Sequence, residues 1–212
     1  MYAHEWGERG VRPTAPLRPV VLPPWEERMD PLLRRYLKGR QLSYEVASGN
    51  GWYATMDDQS YARVVIPASS LANSWPYYQA RLIVEAPKAV KRYMSPAAPR
   101  GDALAIVFPI GEILGSIIVE GPMDALAAAG MGYVGVGLMG NTPNSDVMDH
   151  IRAIVHVYGN CFVVPDRDAF QEGVEITASL WTRGVPCILK RIVGAKDLAE
   201  LSPEGRENLI LS

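Results

Sequence analysis

Cysteine is nearly absent from this 212-residue chain, which contains only Cys161 and Cys187. Both lie inside apolar runs, "NCFVV" and "VPCIL", so the sequence offers neither a disulfide framework nor a cysteine-based zinc site. The three histidines, His4, His150 and His156, show no metal-ligand spacing with the cysteines. These scarcities exclude disulfide-stabilised and zinc-finger classes, and they predict two buried core thiols.

Long apolar runs are also missing. No segment approaches the ~18 apolar residues of a membrane helix, and the N-terminal "MYAHEWGERG" lacks the apolar region of a signal peptide. These absences predict a cytoplasmic protein with no membrane partner. A chain of 212 residues can bury one core, or one core with a smaller attached lobe.

A large net charge is absent too. The formal net charge is only −2, and it is the sum over two regions of opposite charge. Residues 61–101 contain six basic residues and one acid, whereas residues 111–170 contain seven acids and two basic residues. A basic region beside an acidic one is suited to holding a polyanion next to bound cations. The alternative is that these charges cluster by chance on solvated faces.

Proline and turn residues divide the chain into three predicted parts. Residues 1–28 include the proline-rich stretch "VRPTAPLRPVVLPPW", which predicts an extended arm. Residues 29–110 contain two short helices, beginning near Asp30 and Ser43, followed by strand-like runs. The runs are "GWYATM", "ARVVIPA", "YYQARLIV" and "ALAIVF", and their close spacing predicts an antiparallel or mixed sheet in an N-terminal lobe.

Residues 111–212 instead alternate strands with helices. The strands are "SIIVE", "YVGVGL", "NCFVVPD" and "PCILKRIV", and helices are predicted at 122–129, 143–158 and 169–183, with a terminal helix from Pro203. This alternation predicts an α/β domain with a parallel four-stranded sheet, right-handed crossovers and flanking helices.

Acidic residues stand where two of these strands end. Glu120 follows "IIV", and Asp166 and Asp168 follow "CFVV". Ligands of open α/β sheets bind at the carboxyl ends of the strands, and crowded carboxylates raise one another's pKa unless a cation neutralises them. Asp124 and Asp197 can join this edge from the first helix and the fourth strand. Oxygen ligands without cysteine or histidine favour Mg²⁺ or Mn²⁺, as in phosphoryl-transfer sites.

These motifs resemble the TOPRIM domain shared by bacterial-type primases, topoisomerases, small nucleases and recombination mediators. The resemblance covers about residues 115–201 and is carried by Glu120-Gly121, "PMDAL" and "PDRD". Upstream, "ARVVIPASS", "YYQARLI" and "KRYMSPAAP" resemble the basic lobe of DnaG-type DNA primases, and "VGLMGNT" resembles the loop after the second TOPRIM strand. The resemblance implies a TOPRIM-type sheet preceded by a smaller α+β basic lobe on the template and nucleotide side.

The resemblance also implies roles for individual residues. Glu120 would be the general acid/base or a metal-contacting acid, and Asp166 and Asp168 would hold Mg²⁺ with the support of Asp124 and Asp197. Arg81 and Arg92 would face template and nucleotide phosphates. The full set implied to contact nucleic acid or nucleotide is Arg63, Arg81, Lys91, Arg92 and Tyr93.

The chain departs from the family in three respects. Ala199 stands where primases often have a second acid, so a second metal would be held more weakly. The basic turn is one residue shorter than in primases, which makes Lys91 an alternative to Arg92. Two cysteines and 212 residues leave room for neither a zinc-binding domain nor a helicase-docking domain. We therefore expect a minimal catalytic core, of the kind carried by phages and mobile elements, assisted by a replicative helicase or a separate zinc-binding protein.

The function implied is Mg²⁺-dependent synthesis of short RNA primers from nucleoside triphosphates on single-stranded DNA. A TOPRIM nuclease would use similar carboxylates to activate water, and the upstream basic lobe favours a primase over it. A non-catalytic DNA-binding accessory protein or recombination mediator would keep only the fold. Retention of Glu120, Asp124, Asp166 and Asp168 together disfavours that alternative.

Overall fold

The computed structural model describes residues 20–71, 77–140 and 143–212, which form two sheets. Residues 1–19 of the predicted proline-rich arm lie outside the described residues. The first sheet is antiparallel throughout. Its strands, in spatial order, are β1 (Tyr53–Met56), β2 (Ala62–Ala68), β3 (Tyr77–Leu82) and β4 (Tyr93–Met94). The predicted antiparallel sheet of the N-terminal lobe is therefore present.

The second sheet contains five strands. They are β5 (Ala105–Val107), β6 (Ser116–Val119), β7 (Val134–Gly137), β8 (Cys161–Val163) and β9 (Ile188–Leu189), in the spatial order β5-β7-β6-β8-β9. The last four run parallel to one another, as the alternation of strands and helices predicts. β5 is antiparallel to β7, so the sheet is mixed.

The position of β5 corrects the predicted fold in two ways. The sheet is not a purely parallel four-stranded one, and in the run "ALAIVF" residues 105–107 pair with β7 of the second sheet, while Leu104 bridges to Ser69 after β2. A three-residue apolar strand carries no sequence signal for its partner, and residues 108–115 reverse the chain between β5 and β6. The division of the chain into residues 1–28, 29–110 and 111–212 stays a prediction.

Six α-helices lie among the described residues. They are α1 (Asp30–Gly39), α2 (Tyr44–Gly49), α3 (Pro122–Gly130), α4 (Ser145–Tyr158), α5 (Phe170–Thr182) and α6 (Pro203–Leu211). Side-chain oxygens of Ser43, Asn144 and Ser202 accept backbone N–H groups at the starts of α2, α4 and α6, as expected of N-cap residues. The helix after β7 therefore begins at Ser145 and not at Pro143, because Asn144 supplies the cap.

One hydrophobic core joins the two sheets. Leu33 and Leu37 of α1 are fully buried, and they belong to one cluster with Ile66 of β2, Ile117 of β6 and Leu126 of α3. A second cluster, which includes residues of α4 and α5, covers the opposite face of the second sheet. Burial on both faces explains why the parallel strands are near-continuous apolar runs.

Close packing of α3 on the second sheet depends on glycine. A Cβ added at Gly135 of β7 would lie only 2.0 Å from the Ala125 backbone oxygen of α3. The absence of a side chain at this position lets the helix approach the strand, and so sets the position of the α3 N-terminus beside the end of β6.

The end of the proline-rich segment packs along the edge of the first sheet. The Tyr53 hydroxyl donates a hydrogen bond to the Pro23 carbonyl, and the Glu26 carboxylate accepts the backbone N–H of Met56 at 3.0 Å. These bonds satisfy exposed groups of edge strand β1. Within the ranges that the structure describes, no helix is both long enough and apolar enough to cross a membrane.

Candidate active site

Three of the predicted acids line one cavity of about 420 Å³ at the carboxyl edge of the second sheet. Glu120, Asp166 and Asp168 are all in its wall, as are Glu172 and Lys196, which the sequence did not single out. β6 and β8 are parallel neighbours with Ile118 opposite Val163, so the residues that follow both strands leave the sheet at the same edge. The predicted convergence of the strand-end acids at one edge is therefore present.

The first sheet helps to position Glu120. The Glu120 carbonyl accepts the backbone N–H of Met139 at 3.0 Å, and Met139 is held in the left-handed region at φ 56°. The side-chain amide of Gln79, buried on β3, donates to the Met139 carbonyl at 3.1 Å. Both hydrogen bonds compensate for the strain of a non-glycine residue at positive φ. They connect β3 of the basic lobe to the loop that borders the acidic cavity.

Negative charge is crowded around this cavity. The pKa of Asp166 is raised to about 7 by burial first, and then by the nearby carboxylates of Glu120 and Asp197. The Lys196 ammonium, with Nζ 3.9 Å from Asp166 Oδ2, opposes this rise. Burial also raises the pKa of Glu120, with Asp168 as the next cause. Such crowding is what a bound cation would relieve.

Asp124 and Asp197 lie behind the cavity and not in its wall. The buried Asp124 accepts the backbone N–H of Ala199 at 2.9 Å, and burial followed by the charge of Asp197 raises the pKa of Asp124 to about 7. Asp197 Oδ1 accepts the N–H of Glu200 and caps the 3₁₀ turn Leu198–Glu200. Both carboxylates thus accept backbone N–H groups next to the cavity, and their predicted role in support of the metal stays a prediction.

A residue without any sequence signal holds the same turn in place. Arg206 of α6 is buried, and its guanidinium donates to the carbonyls of Leu198 and Ala199 at 3.1 and 2.9 Å. It also donates to the carbonyl of Gln41, at 3.0 Å, in the segment between α1 and α2. An isolated arginine in a helix normally indicates a solvated face, so only the tertiary structure shows that Arg206 anchors the Asp197 segment.

The fit of Mg²⁺ to this cavity rests on the chemistry of its donor set. Among residues 20–71, 77–140 and 143–212, no three His, Cys, Asp or Glu side chains are close enough to form a metal site by themselves. Mg²⁺ does not require such a cage, because it keeps several waters and is commonly bound by one or two carboxylates plus substrate phosphates. Asp166 and Asp168, crowded with like charge beside Glu120, fit that kind of binding.

Arg63 is buried in the N-terminal lobe and paired with Asp57. Its side chain is 2% exposed, and its Nε donates to Asp57 Oδ2 at 2.5 Å. Its Nη1 donates to the carbonyl of Lys91 at 3.0 Å, which fixes the start of the basic turn. The prediction that Arg63 contacts nucleic acid stays a prediction, and this buried and paired position does not favour it.

The buried Arg81 pairs with the half-buried Tyr93. Arg81 is 7% exposed, its Nε donates to the Tyr36 hydroxyl at 2.7 Å, and its Nη1 contacts the Tyr93 hydroxyl. Burial raises the pKa of Tyr93 against the effect of Arg81, and the Asp124 carboxylate contributes to the rise. The pair thus lies near the acids, as expected, but the tyrosines enclose the guanidinium.

Lys91 and Arg92 remain as the accessible cations of the predicted basic set. Both side chains are exposed in the turn before β4. The Arg92 carbonyl accepts the backbone N–H of Leu82 at 2.8 Å, so the turn is fixed to β3 while its side chains are left in solvent. The sequence could not distinguish these residues from Arg63 and Arg81, because strand and turn positions give no measure of depth.

Comparison with known proteins agrees with this architecture. No family model matches the sequence, and no curated protein matches it. The structure does resemble the Aquifex aeolicus primase fragment with zinc-binding and RNA polymerase domains, with a TM-score of 0.63 and 18% identity. That match covers 84% of this chain but only 54% of the Aquifex chain, so the present chain spans about half of that relative.

Two further primase structures show the same similarity. The E. coli primase catalytic core has a TM-score of 0.61 at 17% identity, with 87% of this chain and 72% of that chain covered. The primase fragment of the bacteriophage T7 primase-helicase protein has a TM-score of 0.58 at 15% identity, with coverages of 82% and 72%. The chain is thus an α/β protein with an acidic cavity at the carboxyl edge of its sheet. Its fold is that of a DnaG-type primase catalytic core.

The crowded carboxylates predict an unusual pH dependence of stability without metal. The pKa values of Asp124 and Asp166 are raised to about 7 in the folded protein, from 3.8 in the unfolded chain. A folded state that binds protons more tightly loses stability as pH rises between these values. We expect the metal-free protein to be less stable at pH 8 than at pH 5, by about 3 kcal/mol for each of the two groups.

Denaturant unfolding in a chelator at both pH values measures this difference. Asp124→Asn keeps the oxygen that accepts the Ala199 N–H and removes the charge, so it should reduce the pH dependence markedly. Asp149→Asn, which removes an exposed acid of α4, is the matched control and should leave the dependence unchanged. An Asp124→Asn profile equal to that of the wild type would contradict the explanation.

Proposed function

We propose that this protein is a primase-like nucleotidyltransferase that joins ribonucleotides on single-stranded DNA in a Mg²⁺-dependent reaction. The observation that carries the proposal is the position of Glu120, Asp166 and Asp168 around one cavity, within the fold of primase catalytic cores. One solved relative is a DnaG primase catalytic domain bound to single-stranded DNA, which supports that polymer as the template.

The chemistry proposed is attack of a primer 3′-hydroxyl on the α-phosphate of a nucleoside triphosphate, with pyrophosphate leaving. Asp166 and Asp168 would hold Mg²⁺, which when bound neutralises phosphate charge. Glu120 accepts the proton of the attacking hydroxyl. A carboxylate whose pKa is raised by burial and by Asp168 suits this role, because a general base works best with a pKa near the working pH.

The exposed cations of the basic turn are proposed to contact the phosphates of the template or nucleotide. Lys91 and Arg92 are exposed on a turn whose carbonyls accept hydrogen bonds from the Arg63 guanidinium and the Leu82 backbone N–H. The buried Arg81 instead keeps Tyr93 and Tyr36 in position next to the acidic edge. Charge on the basic lobe then attracts the polyanion, and charge on the second sheet attracts the cation.

The proposed phosphate contacts of Lys91 and Arg92 predict the effect of removing these two cations. Lys91→Ala with Arg92→Ala should weaken binding of single-stranded DNA and lower the slope of log affinity against log salt by about one to two contacts. The melting temperature should change little, because neither side chain is buried. Fluorescence anisotropy at several salt concentrations measures both the affinity and the slope.

Arg152→Ala supplies a matched control for this experiment. Arg152 is an exposed cation of α4 and lines a different cavity, at the amino edge of the second sheet. Its removal should leave the salt slope unchanged. Equal slopes for the wild type and the double variant would mean that the positive charge of the basic turn is only a solvated face.

A replicative helicase or a separate zinc-binding protein is proposed as the helper of this enzyme. The Aquifex relative, of which this chain covers 54%, carries a zinc-binding domain beside its RNA polymerase domain. The T7 relative is a fragment of a primase-helicase protein, which also supports a phage type of primase. Purified protein should therefore be assayed both alone and with a cognate helper of each kind.

The test of the function is a product analysis. The protein is incubated with single-stranded DNA, labelled ribonucleotides and Mg²⁺ or Mn²⁺, and the products are resolved by length. New short oligomers that are absent with the Asp166→Asn and Asp168→Asn double variant support a primase. Shortened template would indicate a nuclease, and neither product under any condition would indicate a non-catalytic DNA-binding protein.

A further inference from the structure

The two cysteines occupy one place in the fold, far from the acidic cavity. Both line a second cavity, of about 880 Å³, at the amino edge of the second sheet between the C-terminal ends of α4 and α5. Their side chains are buried, at 4% and 6% exposure for Cys161 and Cys187, but the cavity connects them to solvent. The proposed primase chemistry uses neither thiol.

The strand register puts the cysteines directly opposite each other. β8 and β9 pair in parallel, with Phe162 opposite Ile188 and Val163 opposite Leu189. Extended by one residue beyond the start of β9, this register places Cys161 opposite Cys187 and both side chains on the same face of the sheet. Neighbouring strands are about 4.8 Å apart, which is within the range of about 4.4–6.8 Å that disulfide Cα atoms span.

The two thiols also differ in acidity. The interaction between the two thiols lowers the pKa of Cys187, whereas the same interaction together with burial raises the pKa of Cys161. The Cys187 thiol also lies 3.9 Å from the carbonyl oxygen of Thr177 on α5. A thiolate is the reactive form of cysteine, so Cys187 is the better nucleophile of the pair.

We propose that Cys161 and Cys187 are a peroxide-oxidised dithiol site, which forms a reversible disulfide between β8 and β9. The Cys187 thiolate attacks a peroxide oxygen, the O–O bond breaks, and with one proton the products are a Cys187 sulfenic acid and water. The Cys161 sulfur then attacks the Cys187 sulfur and gives up its proton, and hydroxide leaves as a second water. Two thiols and one hydrogen peroxide thus yield one disulfide and two waters.

The disulfide would act on the short edge strand of the sheet. β9 contains only Ile188 and Leu189, and it pairs with β8 alone among the described strands. A cross-link closes the chain between residues 161 and 187, a segment that contains α5. Because a cross-link restricts the unfolded chain, oxidation should raise the melting temperature of the folded protein by several degrees.

Oxidation of the folded protein tests the proposal. The wild-type protein is treated with hydrogen peroxide, quenched, unfolded and alkylated, and its peptides are mapped without reduction, because the eight methionines also take up oxygen. The expected result is a monomer in which a peptide containing Cys161 is linked to one containing Cys187. Neither thiol is then alkylated until a reductant is added, and the melting temperature falls back on reduction.

Single serine variants identify the nucleophile. In Cys161→Ser, a sulfenic-acid probe such as dimedone should label Cys187, whereas Cys187→Ser should give much slower labelling of Cys161. Neither variant should gain thermal stability on oxidation. Circular dichroism before treatment establishes that each variant is folded, and the wild-type peptide map decides the proposal even if one is not.

Three results would overturn the inference. One is that both thiols of the wild type stay open to alkylation under conditions that fully oxidise glutathione. Another is that a single cysteine accumulates as sulfinic acid without a linked peptide. The third is that the cross-link joins two chains and not two strands of one chain, which non-reducing electrophoresis would show.

Discussion

Replacement of Asp166 and Asp168 together by asparagine should abolish nucleotide addition and remove stabilisation by Mg²⁺. Both side chains line the acidic cavity, and they are the acids that fit a cation bound with substrate phosphates. A ligand that binds only the native state raises its stability by mass action. The double variant should therefore show no rise in melting temperature on addition of Mg²⁺, whereas the wild type should.

The same variant should fold as well as the wild type in the absence of metal. Burial, and then the charges of Glu120 and Asp197, raise the pKa of Asp166, so removing its charge relieves repulsion at neutral pH. The matched control is Asp149→Asn with Glu175→Gln, which removes two exposed acids from α4 and α5. This control should keep both activity and the response to Mg²⁺.

A double Asp variant that unfolds without metal would mark these acids as structural. Retained stabilisation by Mg²⁺ would instead show that the cation binds elsewhere. Thermal unfolding with and without Mg²⁺, together with primer synthesis, distinguishes these outcomes from the expected one.

Glu120→Gln should separate proton transfer from metal binding. The substitution preserves size and removes the ability to accept a proton, so the chemical step should slow by about 10²–10⁴-fold. Most of the stabilisation by Mg²⁺ should remain, because Asp166 and Asp168 are still present. The backbone of residue 120 stays bonded to Met139 and does not depend on the side chain.

Glu172→Gln is the control within the same cavity. Glu172 is an exposed acid of α5 in the cavity wall and contributes to the raised pKa of Glu120, but it does not follow a strand. Its turnover should stay within a few-fold of the wild type. If Glu120→Gln lost Mg²⁺ stabilisation as completely as the double Asp variant, Glu120 would be a ligand and not the base.

The residue pattern alone was enough to predict the local elements of this fold. Capping side chains and a proline in the first turn mark where α2, α3 and α6 begin, because they act on backbone groups a few residues away. The sequence also predicts that the apolar runs of β6 and β8 end at Glu120 and Asp166. A strand covered on both faces must be apolar until the chain leaves the sheet.

Only the tertiary structure decided how deeply each side chain is buried and which groups it contacts. The sequence does not distinguish the four basic residues Arg63, Arg81, Lys91 and Arg92 from one another. Packing buries the first two against Asp57 and the tyrosines and leaves the last two in solvent. Burial depends on elements distant in sequence, such as Tyr36 for Arg81.

The same limit explains the acids and the edge strand. Whether a carboxylate binds a cation or a backbone N–H depends on what lies next to it, and for Asp124 this is Ala199, 75 residues away. β5 is only three residues long, and its sequence does not specify which strand it pairs with. Its pairing with β7 is known only from the complete sheet. Local hydrogen bonds and apolar periodicity depend on residues close together in the chain, so they can be predicted from the sequence. Contacts between distant segments form only when the whole core is packed.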